Sequence, residues 1–345
     1  MLSLSSISRF LFCASDLYRS GKVVFVAGVT GSLAACEMFV DVEVPEEPPR
    51  LVVNHVMGVD EPFAGFIRLT EDQSVLNPAD FEVVSGATVT LREAGACTML
   101  PEEGADCMIT LEENKSIPRN YSAQIRPSAG QTYTLQIEKE GFDPVEATTT
   151  IPYPVEIKSI AYDTISLPPT GSSARNTQIS EIRLTFDDPA GEYNYYELEV
   201  EGQKAKVECD SVGSCDFSPT NSSRVYMWMN SSDPAIVNSN YGLQSGGSRV
   251  YGEILPFNDE LFDGQTYTLR FDPNAYFYGD SLRRTLTIRL KSVTEEQYEY
   301  TYAKWLQRTA RENRYAEPVP VPNNIKNGYG LFAGYSVDIT HIRLP

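Results

Sequence analysis

From residue 50 onward, short segments of the chain alternate apolar and polar residues and are separated by turn-forming residues. Successive side chains of a strand point to opposite faces of a sheet, so a period of two predicts half-buried β-strands. Seven segments between residues 51 and 151 show this pattern: LVVNHVM, FAGFIRLT, GATVTLREA, CMITLEE, NYSAQIR, GQTYTLQIEKEG and VEATTTI. Seven short strands over such a length predict an immunoglobulin-like or transthyretin-like sandwich.

The run VEIKSIAYD marks the crossing into the second half of the chain, where the alternation is repeated in EIRLTFDD, YNYYELEVEG, RVYMWMN, QTYTLRFD and LTIRLKS. Two short sequences, which we call the repeated words, also recur in the same order. IRLT occurs at 67–70 and 182–185, and GQTYTL occurs at 130–135 and 264–269. This recurrence indicates two related domains. Because the words lie at different spacings, we expect insertions in the second domain, within 202–262.

The hexapeptide GQTYTL places Tyr133 and Tyr267 directly after a glycine turn. Sandwich domains use a tyrosine in such a position as a corner, with its hydroxyl bonded back to the preceding connection. We therefore interpret Tyr133 and Tyr267 as structural corner residues, one in each domain.

One segment, 293–311, has helical rather than strand spacing. Thr294 and Gln297 stand in capping-box positions. Tyr298, Tyr302 and Trp305 fall on one face of such a helix. An aromatic stripe could bind a sugar, but at helical spacing it more often covers a sheet.

The predicted fold is therefore all-β, with two tandem immunoglobulin- or transthyretin-like β-sandwich domains, the second enlarged and carrying one amphipathic helix at about 293–311. We predict a signal peptide at 1–35, a lipidated tether at 36–49 and an N-terminal sandwich at 50–152. The C-terminal sandwich at 153–345 includes the insertions, the helix and a Gly- and aromatic-rich C-terminal segment.

The predicted signal peptide consists of Arg19 and Lys22 followed by an apolar run at 23–35 that ends in small residues and meets Cys36. The run is shorter than the roughly 20 apolar residues of a membrane-spanning helix. The tetrapeptide LAAC resembles the lipobox of bacterial lipoproteins, in which cleavage leaves the cysteine at the new N-terminus to receive lipid. The alternative is a plain secretory signal with an incidental cysteine at position 36.

Four further cysteines fall as two close pairs, Cys97 with Cys107 and Cys209 with Cys215. Neither pair has the spacing of a zinc knuckle. Two disulfides that each close a short loop are the favoured interpretation, with free buried thiols as the alternative. Disulfides would indicate an oxidising compartment.

Charge and motifs narrow the function classes. A formal net charge of -19 repels a phosphate backbone, so nucleic acid is not an expected partner. His55 and His341 are the only histidines, and no motif of a serine hydrolase, zinc protease or phosphate-binding loop occurs. Acidic groups at 187–188 and 259–263 suit solvated turns, with calcium as the alternative. We expect that the protein is not an enzyme and that it binds no cofactor and no metal.

Several stretches together resemble the Bacteroidota lipoproteins catalogued as domain of unknown function 4249. They are the lipobox cysteine with its acidic tether, PRLVVN, SGATVTLRE, GQTYTLQIEKEGFDPVEATTTIP and AEPVPVPNNIKNGYGLFAGYS. The resemblance covers Cys36 to Pro345. It implies an outer-membrane lipoprotein, commonly encoded beside TonB-dependent transporters, with no assigned activity or catalytic residues.

On this basis we expect a protein anchored in the outer membrane by lipid and exposed at the cell surface, with the periplasmic face as the alternative. The expected function is that of a non-catalytic accessory or binding component of a TonB-dependent nutrient uptake system, with the β-barrel transporter as partner. The alternative function is a surface adhesin or glycan-binding module that acts without a transporter.

Overall fold

The structure is a computed structural model that describes residues 49–59, 67–71, 84–95, 97–98, 107–115, 120–123, 125–167, 176–209, 215–217, 223–237, 250–273, 276–278, 282–310 and 319–343. The first seven strands match the seven segments expected in the first half: β1 (Leu51–Gly58), β2 (Ile67–Glu71), β3 (Thr88–Glu93), β4 (Met108–Glu113), β5 (Asn120–Ser122), β6 (Thr132–Glu138) and β7 (Val145–Thr150).

The second half has twelve described strands: β8 (Ile157–Leu167), β9 (Asn176–Asp187), β10 (Tyr195–Cys209), β11 (Cys215–Phe217), β12 (Ser223–Tyr226), β13 (Met229–Ser231), β14 (Val250–Gly252), β15 (Ile254–Asn258), β16 (Thr266–Phe271), β17 (Tyr276–Tyr278), β18 (Leu282–Val293) and β19 (Tyr329–Arg343). Two helices, α1 (Pro234–Ile236) and α2 (Glu295–Ala310), complete the described elements. The predicted all-β class with one amphipathic helix near 293–311 is confirmed.

The strands form one long path and two smaller sheets. The long path has the order β11-β10-β18-β19-β1-β2-β5-β4-β3-β6-β7, with β12 and β15 also pairing with β10. A four-stranded sheet joins β8, β16 and β17 to β9, and β13 pairs with β14. The sheets enclose two hydrophobic cores, one built mainly by β1 to β7 and one by β8 to β18.

Strand β6 shows why the sequence pattern produces this packing. Tyr133, Leu135 and Ile137 are fully buried in the first core, whereas Gln136 and Glu138, which alternate with them, are exposed. The apolar side chains on one face are thus buried in the core, while the polar side chains on the other face stay exposed to water.

Strand β19 links the two halves of the chain. Its first part runs parallel to β1, from Val52 opposite Tyr329 to Gly58 opposite Tyr335. Its remainder pairs antiparallel with β18 as far as Arg343. Phe332 accordingly belongs to the first core, although the predicted divisions assign the whole C-terminal segment to the second domain.

The connection between the two cores also lies against β19. Ile151 belongs to the first core and Val155 to the second. The backbone N–H of Ile157 donates to Asp338 Oδ2 at 2.7 Å. Gly334 packs so closely on Ile151 that a Cβ there would lie 2.7 Å from its side chain. The C-terminal strand and the connection therefore support each other.

The repeated words occupy strands with different neighbours. The first IRLT lies in β2, which pairs with β1 and β5, whereas the first GQTYTL leads into β6, which pairs with β3 and β7. In the second half the corresponding strands β9 and β16 pair directly, with Leu184 opposite Leu269. The repeated words thus form strands in both halves of the chain, but these strands pair with different neighbours.

The two tyrosines of the repeated word make different contacts. The Tyr133 hydroxyl accepts a hydrogen bond from the Ser128 backbone N–H at 2.9 Å, five residues upstream, which is the contact of a tyrosine corner. The Tyr267 hydroxyl instead donates to Asp233 Oδ1 at 2.6 Å. The Tyr267 hydroxyl is thus bonded to a carboxylate from an earlier segment of the second half, and its role as a corner residue stays a prediction.

Replacing Tyr133 with Phe is expected to destabilise the protein by about 1–2 kcal/mol, because the Ser128 N–H loses its acceptor while the ring stays in the core. Urea denaturation followed by tryptophan and tyrosine fluorescence measures the change. Tyr193→Phe is the control, since that side chain is 73% exposed. Equal midpoints for the two variants would refute the corner assignment.

Candidate functional site

Three carboxylates meet at one end of the second core. Asp188 follows β9, while Asp259 and Asp263 lie in the turn between β15 and β16. One carboxylate oxygen of each lies within 4.8 Å of the others. We call Asp188, Asp259 and Asp263 the acidic cluster.

Asp188 is the most constrained member of the acidic cluster. It accepts from the Tyr196 hydroxyl at 2.5 Å and from the Gly264 backbone N–H at 2.9 Å. Burial raises the pKa of Asp188, and the charges of Asp259 and Asp263 act in the same direction, while the two hydrogen bonds oppose the shift. Burial likewise raises the pKa of the Tyr196 hydroxyl, so the tyrosine remains a donor.

The other two carboxylates fasten the loop between β9 and β10. Asp259 Oδ2 accepts from the backbone N–H of Asn194 at 2.9 Å and from its side-chain amide at 3.1 Å. Asp263 Oδ1 accepts from the Gly191 N–H at 2.9 Å. The two loops are therefore held together by carboxylate-to-backbone hydrogen bonds.

The acidic cluster is poorly suited to hydrolysis. Paired carboxylates must reach a substrate, yet Asp188 is 6% and Asp259 1% exposed. Carboxylate oxygens are the ligands that Ca²⁺ prefers, and one oxygen of each carboxylate lies within 4.8 Å of the others, while each carboxylate also accepts hydrogen bonds from the loops. The interpretation as solvated turns is wrong for Asp188 and Asp259, because folding of the loops buries them.

The remaining acidic residues of these two groups do not join the cluster. Asp187 forms an ion pair with Lys158 and accepts from the Thr266 hydroxyl at 2.5 Å. These contacts hold the pKa of Asp187 below its usual range. Glu260 lies exposed on the turn.

Two large apolar side chains project beside the acidic cluster. Tyr193 is 73% exposed and Leu261 is 46% exposed. Each lies in one of the two loops that the carboxylates hold.

A second polar feature lies beneath α2. Glu197 is 1% exposed and accepts from the Thr301 hydroxyl at 2.5 Å and from Gln297 Nε2 at 3.1 Å. Burial raises the pKa of Glu197, while nearby Lys291 lowers it. This buried carboxyl therefore attaches the helix to the sheet.

Charged pairs continue along the same face. Lys291 Nζ lies 2.5 Å from Glu199, and Arg289 lies 3.1 Å from Glu201. These residues do not stand out in the sequence, because alternate polar positions on a strand usually face water. The sequence feature that could have predicted these ion pairs is the matched spacing of acidic residues on β10 and basic residues on β18.

The aromatic face of α2 packs as the helical spacing predicts. The Tyr298 ring lies 5.0 Å from that of Tyr195, and Tyr302 and Trp305 pack against the second core.

Replacing Glu197 with Gln is expected to raise stability relative to the wild type more at pH 8 than at pH 5. Because its pKa is raised, the folded state holds a proton that the unfolded state releases, so stability falls as pH rises. Glutamine keeps an acceptor for Thr301 without the charge. Denaturation midpoints at both pH values measure the effect, with Glu199→Gln as the control that breaks an ion pair. A relative gain for Glu197→Gln that is no larger at pH 8 than at pH 5 would contradict this account.

The two histidines are far apart. His55 is buried on β1 with its ring 6.4 Å from that of Phe332. His341 lies nine residues further along β19 than Phe332, about 30 Å at the rise of a strand, and is hydrogen-bonded to Thr287 at 3.0 Å. They cannot act on one substrate group.

Burial lowers the pKa of His55 from 6.5 to about 4. Below pH 6.5 the His55 imidazole binds a proton in the unfolded chain but stays neutral in the folded chain. Up to about 3 kcal/mol of the free energy of unfolding is therefore lost between pH 6.5 and 4. His55→Leu is expected to remove this loss, while His341→Leu retains it. Urea denaturation at pH 7 and 4 compares the variants, and an equal acid loss in all proteins would refute the assignment.

The predicted disulfide between Cys97 and Cys107 is confirmed, with Cα atoms 5.2 Å apart. Cys209 and Cys215 stand opposite each other in the β10–β11 register, and their disulfide stays a prediction. Cys36 lies outside the described residues. In the part of the chain that the structure describes, no helix combines the length and the apolar character needed to cross a membrane.

Comparison with known proteins defines the family. The model of "Domain of unknown function (DUF4249)" matches residues 38–340. The chain belongs to the DUF4249 family. No curated protein matches this DUF4249 chain.

Among solved structures, the full-length major pilin SpaD from Corynebacterium diphtheriae is similar at 10% identity, with 72% of this chain and 62% of the pilin covered and a TM-score of 0.14. The DUF4249 chain thus spans less than two thirds of that pilin, and a likeness this weak carries no argument about its fold or function.

Proposed function

We propose that this DUF4249 protein is a lipid-anchored outer-membrane protein that acts as a non-catalytic binding or accessory component of a TonB-dependent nutrient uptake system. The observation that supports the non-catalytic part is that three buried carboxyl groups are engaged in hydrogen bonds within the fold. Asp188, Asp259 and Glu197 each hold structural elements together and are at most 6% exposed. Such groups stabilise loops and a helix rather than act on a substrate.

The membrane-anchored part is supported by the lipobox-like tetrapeptide LAAC, which ends at Cys36. The segment 36–48 contains 13 residues, so it spans at most about 45 Å even when fully extended. This length sets the greatest distance between a lipid on Cys36 and residue 49, where the described part of the chain begins.

Membrane fractionation tests the anchor. Wild-type protein is expected in the outer-membrane fraction, whereas Cys36→Ala is expected in the soluble fraction. Cys13→Ala is the matched control, because it removes a cysteine of the leader and leaves the lipobox intact. Membrane retention of Cys36→Ala would refute lipidation at this cysteine.

Purification from detergent-solubilised outer membranes tests the partner. A TonB-dependent transporter identified by mass spectrometry at about equal stoichiometry is the expected result. Consistent absence of a transporter from a preparation that retains the lipoprotein would refute the accessory function, and would favour an adhesin or glycan-binding module.

A further inference from the structure

A pocket of about 210 Å³ lies on the outer face of the first sheet, away from the acidic cluster and from α2. It forms where β6 and β7 meet the segment that precedes β19. The side chains that define it are mostly polar: Gln136, Glu138, Pro144, Glu146, Lys326 and Asn327.

Backbone hydrogen bonds hold the two sides of the pocket in place. The Lys326 N–H donates to the Glu146 carbonyl at 2.8 Å, and the Glu146 N–H donates to the Lys326 carbonyl at 3.3 Å. Gln136 Nε2 donates to Glu146 Oε2 at 3.0 Å across the β6–β7 pair. The pocket is therefore preformed by a short extension of the sheet.

Asn327 lines the pocket in a left-handed backbone conformation. Its φ of 61° makes it the only residue other than glycine with positive φ in the described ranges. Its side-chain amide donates to the Pro144 carbonyl at 3.0 Å, which supports this conformation. Asparagine adopts this conformation more readily than most residues with a Cβ, so the turn at the edge of the pocket is well defined.

Three charged side chains line the pocket: Glu138, Glu146 and Lys326. The Glu146 carboxylate accepts from Gln136, whereas Glu138 and Lys326 are exposed and neither side chain has an ion-pair or hydrogen-bond partner within the described part of the chain. A carboxylate and an ammonium group that line the same concavity complement a ligand that carries one charge of each sign.

The size of the pocket restricts the ligand further. Pockets for drug-sized molecules measure roughly 300–1,000 Å³, so this smaller pocket suits a solute of amino-acid size. The amides of Gln136 and Asn327 add neutral hydrogen-bonding groups at its edge. Together these features favour a small, compact zwitterion over an extended chain.

We propose that this pocket binds a free amino acid, with Lys326 contacting the ligand carboxylate and Glu138 contacting its ammonium group. The inference rests on the proposed function for its biological role, since it names the class of nutrient that the uptake component captures. Binding itself requires neither the membrane nor the transporter.

Isothermal titration calorimetry at pH 7 tests the pocket, using the full chain with Cys36→Ala and the twenty free L-amino acids one at a time. At least one amino acid is expected to bind with a Kd of about 1 mM or tighter. Lys326→Ala and Glu138→Gln are expected to weaken that binding at least about tenfold, because each removes one charged contact. The backbone bridge at Lys326 does not depend on its side chain, so both variants should fold.

Two controls identify the contacts. Glu140→Gln removes an exposed carboxylate of the neighbouring turn that does not line the pocket, and it is expected to bind as wild type. The N-acetyl amide of the bound amino acid lacks both backbone charges and is expected not to bind.

The proposal is overturned if no amino acid binds at about 10 mM, or if Lys326→Ala and Glu138→Gln bind as the wild type does. These outcomes leave the membrane and co-purification results unaffected. Loss of membrane anchoring or of the transporter with retained amino-acid binding would instead refute the proposed function and keep the pocket.

Discussion

Replacing Gly330 with Ala is expected to destabilise the protein by more than about 4 kcal/mol, an exceptional loss for a single substitution. Gly330 has a φ of +117°, and a Cβ there would lie 1.9 Å from the Val53 carbonyl oxygen. The two residues are direct partners in the β1–β19 pair. The clash is with backbone, so no side-chain rotation relieves it, and the central strand must move away from β1.

Gly141→Ala is the matched control for this variant. Gly141 also has positive φ, +89°, but a Cβ added there would meet nothing within 4 Å. Its substitution should carry only the conformational strain, about 1–2 kcal/mol. Chemical denaturation, or soluble yield where Gly330→Ala does not fold, measures both. Equal losses in the two variants would show that β19 does not pack closely against β1.

The strands could be predicted because their signal is local. Tyr133, Leu135 and Ile137 alternate with polar residues within one segment, and this period alone places them in the core. The partner of β19 could not be predicted in the same way. Parallel pairing with β1 joins opposite ends of the chain, and the alternation of a strand does not specify its neighbour.

In the candidate site, too, the sequence does not specify which distant residues come into contact. The acidic groups at 187–188 and 259–263 are recognisable in the sequence, but which members meet depends on how two loops pack. Asp188 turns inward to Tyr196, whereas Asp187 turns outward to Lys158. Neighbouring residues on a strand end point to opposite sides, so the register decides between them.

Glu197 could not be predicted for a different reason. On a strand it alternates with the core residues Tyr196 and Leu198, which is the pattern of a solvated position. Its burial depends on α2 packing on that face, and α2 lies almost a hundred residues later in the chain. Glu146 and Lys326 come together in the same way, through pairing of distant segments.

Replacing Phe332 with Ala is expected to destabilise the protein by about 3–5 kcal/mol, the range for removing a buried aromatic side chain. Phe332 is fully buried and is a member of the first core, although it lies in the last strand of the chain. The loss should therefore appear in the first half of the molecule. Hydrogen exchange resolved by mass spectrometry should show weaker protection in β3 and β6, which share that core.

Ile339→Ala is the matched control, because Ile339 lies in the same strand but is 44% exposed. It should reduce stability by less than about 1 kcal/mol and leave exchange in β3 and β6 unchanged. If Phe332→Ala lowered protection only in β18 and its neighbours, the first core would not depend on the C-terminal strand. If protection falls in β3 and β6, the two halves cannot fold as independent units, since the first core is completed only after the last strand is in place.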